Sequence, residues 1–399
     1  MRGDCRYCCN TRMPDRDPAG TMTEPAFLPY GRQEIGDADV KAVVEALVSG
    51  WLTTGPRVPE FEQTFADHVG AKEGVAVNSG TAALHCAMRA LGIGAGDEVI
   101  VPAITFAASS NAVLYEGGTP VFADVEPDTL LIDPTSVAAC ITARTRAIVA
   151  VDYAGQPADY DALQALAAAK GIRLIADACH APGATYKGRA AGTLADISCF
   201  SFHPVKHLTT CEGGMAVTDN PEMAAHMRRF RNHGIDSDHR SREAAGAHAY
   251  DMAELGFNYR LPDVQCALGL AQLRRLSGWV AARQRIAGLY DEALAGLAEI
   301  VPLKTHGDRT HAHHLYVIRL MDGVDRDRVF ARLRADGIGA NVHYAPVYRH
   351  SHYVRLGYPA GLCPVAEATS RQILTLPMFP AMTEADVRRV VGALTRATA

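Results

Sequence analysis

The sequence lacks any run of about 18 apolar residues, and its first twenty residues lack the apolar centre of a signal peptide. These absences argue against a membrane span and a secretory leader, so we expect a cytoplasmic protein. Basic residues are not in excess either, since the formal net charge at pH 7 is −5. We therefore expect neither nucleic acid nor a membrane as a partner, and any phosphate must be bound by a local site.

Zinc-ligand spacing is also absent. The cluster Cys5, Cys8 and Cys9 has no second Cys/His pair at zinc-finger distance, and the remaining cysteines lie singly, mostly in apolar segments. Such cysteines are typical of reduced thiols that pack as small apolar side chains. The sequence therefore predicts no metal site. Residues 1–22, rich in Arg, Asp and Pro and without periodicity, are expected to form a disordered extension.

The sequence does contain a repeated alternation of short β-rich runs and Ala-rich helices. Two amphipathic helices come first, separated by the Gly/Pro-marked loop GWLTTGP. Strands are then predicted at GVAV, EVIVP, TPVFADV, RAIVAV, RLIAD, DISCFSF and GGMAV. This order favours an α/β fold with a largely parallel central sheet.

A smaller unit is predicted to follow the central sheet. The stretch LPDVQCALGLAQLRRLSGWVAARQRIAGLYDEALAGL predicts one long helix that links two domains. After it come the predicted strand HHLYVIRL, a helix, the predicted strand GIGANVHYAPV and a last helix. We expect a large domain over residues 23–280 and a small C-terminal α/β domain over residues 281–399.

Three groups of polar residues follow predicted strands, where α/β folds assemble ligand sites. The first, Asn78-Ser79-Gly80-Thr81, precedes a helix whose free N–H groups and dipole suit a phosphate. Small hydroxylated residues are also ordinary helix caps, which is an equally good explanation of this segment taken alone.

The second group contains Asp177, which closes the apolar run RLIAD. A carboxylate at this position is costly to bury without a cationic partner, such as a protonated ring nitrogen. The alternatives are a helix cap and a structural ion pair.

The third group is the strongest signal. Lys206 lies just beyond a predicted strand, in a turn that ends at Gly213 and Gly214, and a lysine fixed there can form an imine with an aldehyde. Ser201, five residues earlier, can reach a phosphate. Lysine is usually a solvated surface residue, but a position between two apolar strands is a poor place for an idle charge.

These segments, taken in order, resemble the signatures of the DegT/StrS-type sugar aminotransferases. The resemblance rests on SGTAAL, the Asp-x-x-His of DACH, SFHPVKHLTTCEGGMAV and GFNYRLPDVQCALGLAQL, and it covers the chain from about residue 28 to its end. It implies a fold-type I transferase that depends on pyridoxal 5'-phosphate. It also implies that Lys206 carries the cofactor as a Schiff base.

The resemblance assigns further cofactor contacts. Asp177 is implied as the partner of the pyridine nitrogen, and His180 lies near the ring hydroxyl. The phosphate-binding residues implied are Gly80, Thr81 and Ser201. Phe106 matches the aromatic residue that stacks on the ring, although a core phenylalanine is the alternative. Asn258 matches a residue lent to the neighbouring subunit, which implies a homodimer with shared active sites.

Within the family, the likeness is greatest to the transaminases of pseudaminic acid biosynthesis, especially in GIGANVHYAPVYRHSHY. It implies transfer of an amino group, from L-glutamate, to C4 of a UDP-4-keto-6-deoxy-N-acetylhexosamine. Another nucleotide-sugar 3- or 4-aminotransferase is the alternative. The candidate substrate contacts are Thr54, Arg260, His314, His343 and Tyr344. Each of these also has a structural explanation, as a helix cap, an ion pair or a satisfied histidine. Cys211 and His313 depart from the family pattern.

Two rival functions stay open at this point. Some relatives are sugar 3-dehydratases that have histidine in place of the lysine; Lys206 argues against this, although His207 is its neighbour. A relative that binds the cofactor without turnover is the second rival. The complete set of Lys206, Asp177 and Ser201 argues against that one.

Overall fold

The computed structural model describes residues 27–236, residue 246 and residues 248–398. The predicted N-terminal extension, residues 1–22, lies outside the described residues. Within the described part of the chain, no helix combines the length and the apolar character needed to cross a membrane.

The helices and strands follow one another in the predicted alternation. The α-helices are α1 (Asp37–Val48), α2 (Arg57–Val69), α3 (Gly80–Ala90), α4 (Ala108–Tyr115), α5 (Pro134–Cys140), α6 (Tyr160–Lys170), α7 (Pro221–Phe230), α8 (Asp263–Leu273), α9 (Leu276–Leu294), α10 (Arg326–Ala335), α11 (Ser351–Arg355), α12 (Pro364–Ser370) and α13 (Glu384–Thr398). The strands are β1 (Glu73–Val77), β2 (Glu98–Pro102), β3 (Thr119–Ala123), β4 (Thr145–Val151), β5 (Arg173–Asp177), β6 (Thr185–Tyr186), β7 (Arg189–Ala190), β8 (Ile197–Ser201), β9 (Gly214–Thr218), β10 (Ile300–Pro302), β11 (Tyr316–Leu320) and β12 (Ile373–Leu376). Short 3-10 turns lie at Tyr153–Gly155, Ala191–Thr193 and Val347–Arg349.

The central sheet has seven strands in the order β1-β9-β8-β5-β4-β2-β3. Strands β8, β5, β4, β2 and β3 pair in parallel, whereas β9 runs antiparallel to both β8 and β1. The predicted α/β class with a largely parallel sheet is therefore confirmed. Because the parallel strands end at the same edge, the residues that follow β5 and β8 come together there.

Helices cover both faces of this sheet. Along β2, Val99 and Val101 join the apolar cluster under α3, α4 and α7, while Ile100 joins the cluster under α2, α6 and α8. Successive strand residues point to opposite faces, so a strand covered on both sides must be apolar throughout. This is why the strand segments appear in the sequence as continuous apolar runs.

The C-terminal unit is built around a three-stranded antiparallel sheet in the order β10-β11-β12. Apolar residues of α9, α10 and α13 pack on it and form a third buried cluster. The predicted boundary after residue 280 lies inside α9, and the division into domains at that point stays a prediction.

The single long helix predicted after residue 260 is wrong. The chain forms α8 and α9, and the break at Arg274 and Arg275 separates them. Arg275 pairs with Asp39 of α1, and its guanidinium carbon lies 4.4 Å from the centroid of the Trp279 ring. These contacts tie the break to the N-terminal helix, a constraint that periodicity along one segment does not contain.

The predicted strand GIGANVHYAPV is also wrong, because it pairs only at isolated points. Gly339 donates its N–H to the carbonyl of Leu28, and Asn341 exchanges two backbone hydrogen bonds with Thr375 of β12. The segment thus crosses from the N-terminal stretch to an edge strand instead of extending a sheet. The apolar alternation reflects this half-buried path and not a β-ladder.

Candidate active site

The carboxyl ends of the parallel strands carry the polar residues that the sequence singled out. Asp177 is the last residue of β5 and Ser201 is the last residue of β8, and β5 and β8 are neighbours in the sheet. Lys206 follows in the turn after β8, where its N–H donates to the carbonyl of His203. These three residues thus lie at one edge of the sheet.

Asp177 is buried, with 6% of its surface exposed. Its Oδ2 accepts a hydrogen bond from Ser109 Oγ at 2.7 Å, and its Oδ1 accepts one from the N–H of Cys179 at 3.3 Å. Both donors are neutral, and within the described part of the chain no Lys, Arg or His forms a salt bridge with Asp177. A buried carboxylate held in this way is set up to meet a cation.

The amine of Lys206 lies 3.4 Å from His314 Nε2. Removal of this amine from water lowers its pKa and is the largest effect; Cys179 and Asp177 act in the opposite direction, and the positive charge of Arg283 lowers the pKa by a smaller amount. A lysine with a lowered pKa has a larger fraction of neutral, nucleophilic amine.

Three buried imidazoles surround this lysine: His180, His207 and His314. The ring centroids of His180 and His314 are 4.4 Å apart, and those of His207 and His314 are 5.6 Å apart. Burial, followed by nearby positive charge, holds the pKa of each ring well below its usual value. The rings are therefore neutral at pH 7 and do not compete with Lys206 for a negative partner.

His207, which follows Lys206 in the sequence, forms a hydrogen bond to the backbone. Its Nε2 donates to the carbonyl of Ala312 at 2.8 Å. It therefore anchors the turn to the segment before β11.

A small cradle lies between the start of α3 and the end of β8. Ser79 caps α3 by accepting a hydrogen bond from the N–H of Ala82, so the capping explanation holds for this residue. A Cβ at Gly80 would lie 2.8 Å from Ser201 Cβ and 3.2 Å from Ser201 Oγ. Only glycine leaves the helix N-terminus open opposite the Ser201 hydroxyl, with Thr81 next in the helix. Free N–H groups and hydroxyls there suit a phosphate.

Aromatic side chains form one wall of the candidate site. Phe106 is 59% exposed, so the alternative explanation as a core residue is wrong. Its ring centroid lies 6.1 Å from that of Tyr344. The Tyr344 hydroxyl in turn lies 3.5 Å from His180 Nε2, and the two rings are stacked at 6.4 Å. Phe106 and Tyr344 thus face the same space as His180.

His343 is fixed by the C-terminal unit. Its Nδ1 lies 2.9 Å from Thr375 Oγ1, and its Nε2 lies 3.3 Å from Asn341 Nδ2. The buried hydroxyl of Tyr153 donates to the His343 carbonyl. Desolvation, and then the charge of Lys206, lowers the pKa of His343 to about 4.

The structure places the remaining candidates on surrounding loops. Thr54 is exposed and its hydroxyl donates to the carbonyl of Thr53, so it does not cap α2. The Asn258 carbonyl accepts a hydrogen bond from Asn78 Nδ2 at 3.4 Å. Arg260 pairs with Val77 at the end of β1, and its Nη1 donates to Asn232 Oδ1 at 2.7 Å. Asn258 and Arg260 therefore flank the segment that begins α3.

The sequence did not single out Ser109, Tyr153 or Arg283, which the structure places in contact with predicted site residues. Ser109 lies in the string TFAASS beside Phe106, which was a usable signal. Tyr153 and Arg283 gave none, since a tyrosine after a strand and an arginine on a helix are ordinary. Within the described part of the chain, no group of His, Cys, Asp or Glu side chains is arranged to hold a metal ion.

Comparison with known proteins identifies this arrangement. Residues 33–395 match the DegT/DnrJ/EryC1/StrS aminotransferase family. The PLP form of Spr1654 from Streptococcus pneumoniae is 32% identical, with a TM-score of 0.88 over 93% of this chain and 98% of that one. Helicobacter pylori PseC, an aminotransferase involved in the biosynthesis of pseudoaminic acid, is 31% identical, with a TM-score of 0.87 over 93% and 99% of the two chains. DesV of S. venezuelae is 35% identical, with a TM-score of 0.86 over 94% and 100%.

The residues at the sheet edge fit pyridoxal phosphate, the cofactor of the family. An aldehyde needs an amine, a phosphate needs N–H and hydroxyl donors, and a protonated pyridine nitrogen needs a carboxylate. Lys206, the Gly80 cradle and Asp177 supply these groups. Moreover, the buried Nδ1 atoms of His180 and His314 have no hydrogen-bond partner among the described residues, which leaves donors or acceptors for a ligand. The chain belongs to the DegT/DnrJ/EryC1/StrS aminotransferase family, and its cofactor is pyridoxal phosphate.

Proposed function

We propose that the enzyme transfers an amino group from L-glutamate to C4 of a UDP-4-keto-6-deoxy-N-acetylhexosamine, as UDP-4-amino-4,6-dideoxy-N-acetyl-β-L-altrosamine transaminase does in the pseudaminic acid pathway. The observation that carries the amino-transfer chemistry is the placement of Lys206 and Asp177 at the ends of adjacent strands. The likeness to Helicobacter pylori PseC over nearly the whole chain supports the pathway.

In this proposal Lys206 is the point at which the cofactor is attached. Asp177 pairs with the pyridine nitrogen, and His180 lies by the ring hydroxyl. Gly80, Thr81 and Ser201 bind the phosphate, and Phe106 packs on the ring. When bound, the cofactor supplies an electron-poor ring that stabilises negative charge on the substrate carbon.

Once the amino donor has replaced Lys206 at the point of cofactor attachment, the free lysine has a second role as the base. Its amine removes the proton from the α-carbon of L-glutamate, holds it on Nζ and releases it on the far side of the amino nitrogen, and the reverse sequence serves the ketone. The lowered pKa of Lys206 supports this role, because only the neutral amine can accept a proton. Donor and acceptor use the site in turn, so ping-pong kinetics are expected.

The sugar nucleotide is proposed to meet a wall formed by His314, His343 and Tyr344. His314 lies beside the amine of Lys206, and Tyr344 lies beside His180. The wall therefore stands where a keto group must approach the lysine. Thr54 and Arg260 are proposed as outer contacts.

We also propose that the active unit is a homodimer in which Asn258 reaches the partner's phosphate site. Several large apolar side chains on one subunit are exposed, among them Leu52, Leu255 and Phe257. Leu255 and Phe257 closely precede Asn258 in the sequence. Burial of such residues between subunits would stabilise a dimer.

The decisive experiment supplies the enzyme, in the amine form of its cofactor, with a series of UDP-4-keto and UDP-3-keto sugars. Products are identified by mass spectrometry and NMR. A 4-amino product from the UDP-4-keto-6-deoxy-N-acetylhexosamine, formed faster than from the other sugars, is expected. Amination of a different sugar would replace the proposed acceptor, and a deoxygenated keto sugar without nitrogen would indicate the dehydratase reaction. Gel filtration with multi-angle light scattering tests the dimer.

A further inference from the structure

Arg283, on α9, is a buried cation behind the site described above. Only 1% of its surface is exposed. Its Nη1 donates to three backbone carbonyls: His313 at 3.2 Å, His314 at 3.3 Å and Met378 at 3.0 Å. Its Nε has no partner among the described residues.

The charge of this guanidinium is not neutralised. Within the described part of the chain, no carboxylate pairs with it, and its hydrogen bonds all go to neutral carbonyls. Burial lowers the pKa of Arg283 to about 10, which still leaves it charged at pH 7. A buried charge without an ionic partner carries a desolvation penalty that hydrogen bonds to neutral carbonyls only partly offset. An apolar residue at this position would avoid that cost, but it would leave the three carbonyls without this donor.

The guanidinium is placed behind the lysine. Arg283 lines the same small cavity as Lys206 and His207. Two of the carbonyls that it holds belong to His313 and His314, and the ring of His314 contacts the Lys206 amine at 3.4 Å. The contacts therefore run without interruption from the cation, through the backbone of His314, to the lysine.

We propose that Arg283 is a positioning residue that holds His314 against Lys206 and places a fixed positive charge behind the lysine amine. This inference rests on the role proposed above for Lys206. Like charges in a poorly solvated site disfavour each other, so the Arg283 guanidinium, which is charged at pH 7 with a pKa of about 10, favours the neutral amine of Lys206.

Other groups also face the lysine, and their effects are distinct. They are Asp177 at the end of β5, Cys179 and His180 after β5, His207 in the turn, His314 before β11, and His343 close after Asn341. The carboxylate and the thiol favour the ammonium form, and the histidines are neutral because their pKa values are low. Arg283 is thus the fixed cation that opposes Asp177.

The test uses the apoprotein, so that no bound cofactor occupies the Lys206 amine. Wild type and variants are labelled with a small amine-acylating reagent across a pH series, and the Lys206 peptide is quantified by mass spectrometry. Labelling follows the neutral amine, so its midpoint gives the Lys206 pKa. In Arg283→Gln and Arg283→Met the midpoint is expected to rise above that of wild type. Arg283→Lys, which keeps the charge, is expected to restore the wild-type midpoint.

Arg285→Gln is the matched control, because Arg285 lies on the same helix but its side chain is exposed and donates to the carbonyl of Met382. Its midpoint should equal that of wild type. Arg283→Gln keeps N–H donors for the carbonyls and is the variant to use if Arg283→Met does not fold. Folded neutral variants with a wild-type midpoint would overturn the inference. Failure of the proposed role of Lys206 looks different: borohydride reduction of the wild-type holoenzyme would then attach no cofactor to Lys206, whatever the midpoints.

Discussion

Ser109 Oγ donates a hydrogen bond to Asp177 Oδ2 across 2.7 Å and so joins the first turn of α4 to the carboxyl end of β5. Thr105 Oγ1 lies 2.7 Å from the same Ser109 hydroxyl. The carboxylate that faces the pyridine nitrogen in our proposal is therefore oriented by a helix that also follows Phe106. A single short segment, residues 105–109, thus orients the Asp177 carboxylate and also carries Phe106 of the aromatic wall.

Replacement of Ser109 by Ala is expected to weaken cofactor binding. The variant loses a hydrogen bond to a charged group, which contributes about 1.5–3 kcal/mol, so the dissociation constant of pyridoxal phosphate should rise about ten-fold or more. Equilibrium titration of the apoprotein, followed by cofactor absorbance, measures this. Ser110→Ala is the control, since Ser110 bonds to Ala107 and Tyr353 instead. Equal affinities for Ser109→Ala and wild type would show that the bond does not orient Asp177.

Substitution of Gly80 by Ala tests the phosphate cradle. The new Cβ would lie 2.8 Å from Ser201 Cβ, closer than carbon atoms approach, so the start of α3 or the end of β8 must move. We expect cofactor affinity to fall by about ten-fold or more, because helix N–H groups bind a phosphate only over short distances.

Gly278→Ala is the matched control for this substitution. Gly278 lies in α9 with no atom within 4 Å of an added Cβ, and alanine there should stabilise the helix by roughly 0.5–1 kcal/mol. Cofactor affinity should not change in this variant. An unaltered affinity in Gly80→Ala, in folded protein, would place the phosphate elsewhere.

The lowered pKa of His313 predicts how the free energy of unfolding depends on pH. Burial, and then the charge of Arg283, lowers its pKa to about 4. Its folded pKa is below the unfolded value of about 6.5, so the unfolded state binds more protons between these two values. Stability due to this group is therefore present above pH 6.5 and is lost as the pH falls towards 4, by at most about 1.4 kcal/mol per pH unit.

The measurement compares His313→Asn with wild type by urea unfolding at pH 7, 6 and 5. Asparagine also tolerates the positive φ of 49° found at this position. The free energy of unfolding of wild type should fall relative to that of the variant as the pH is lowered. A difference that is constant over this range would mean that His313 protonates in the folded state as readily as in the unfolded one.

The sequence predicted the parts of this protein that depend on local pattern. Strands covered on both faces are continuous apolar runs, so the succession of strands along the chain could be predicted. Asp177, Ser201 and Lys206 stood out as polar residues at or just after strand ends. The predictions of one long helix after residue 260 and of a strand at residues 337–347 were wrong. Arg275 and Asn341 make contacts with α1 and β12, respectively, that no local pattern contains.

The same reason explains which site residues were missed. Tyr153 reaches His343 across 190 positions of sequence, and Arg283 reaches the His313 and His314 carbonyls from a helix whose pattern is otherwise that of a packing surface. Their roles arise from tertiary contacts between the two sheets and their helices. Such residues support predicted ones without touching the reaction, so chemical identity alone does not mark them.

The most direct test of the account is the identity of the lysine that holds the cofactor. The holoenzyme is reduced with borohydride, digested and analysed by mass spectrometry. We expect the added mass on the peptide that contains Lys206, and we expect Lys206→Ala to be folded, unlabelled and at least about a hundred-fold slower in amino transfer. Cofactor mass on Lys187 or another lysine, or full activity in Lys206→Ala, would contradict the assignment.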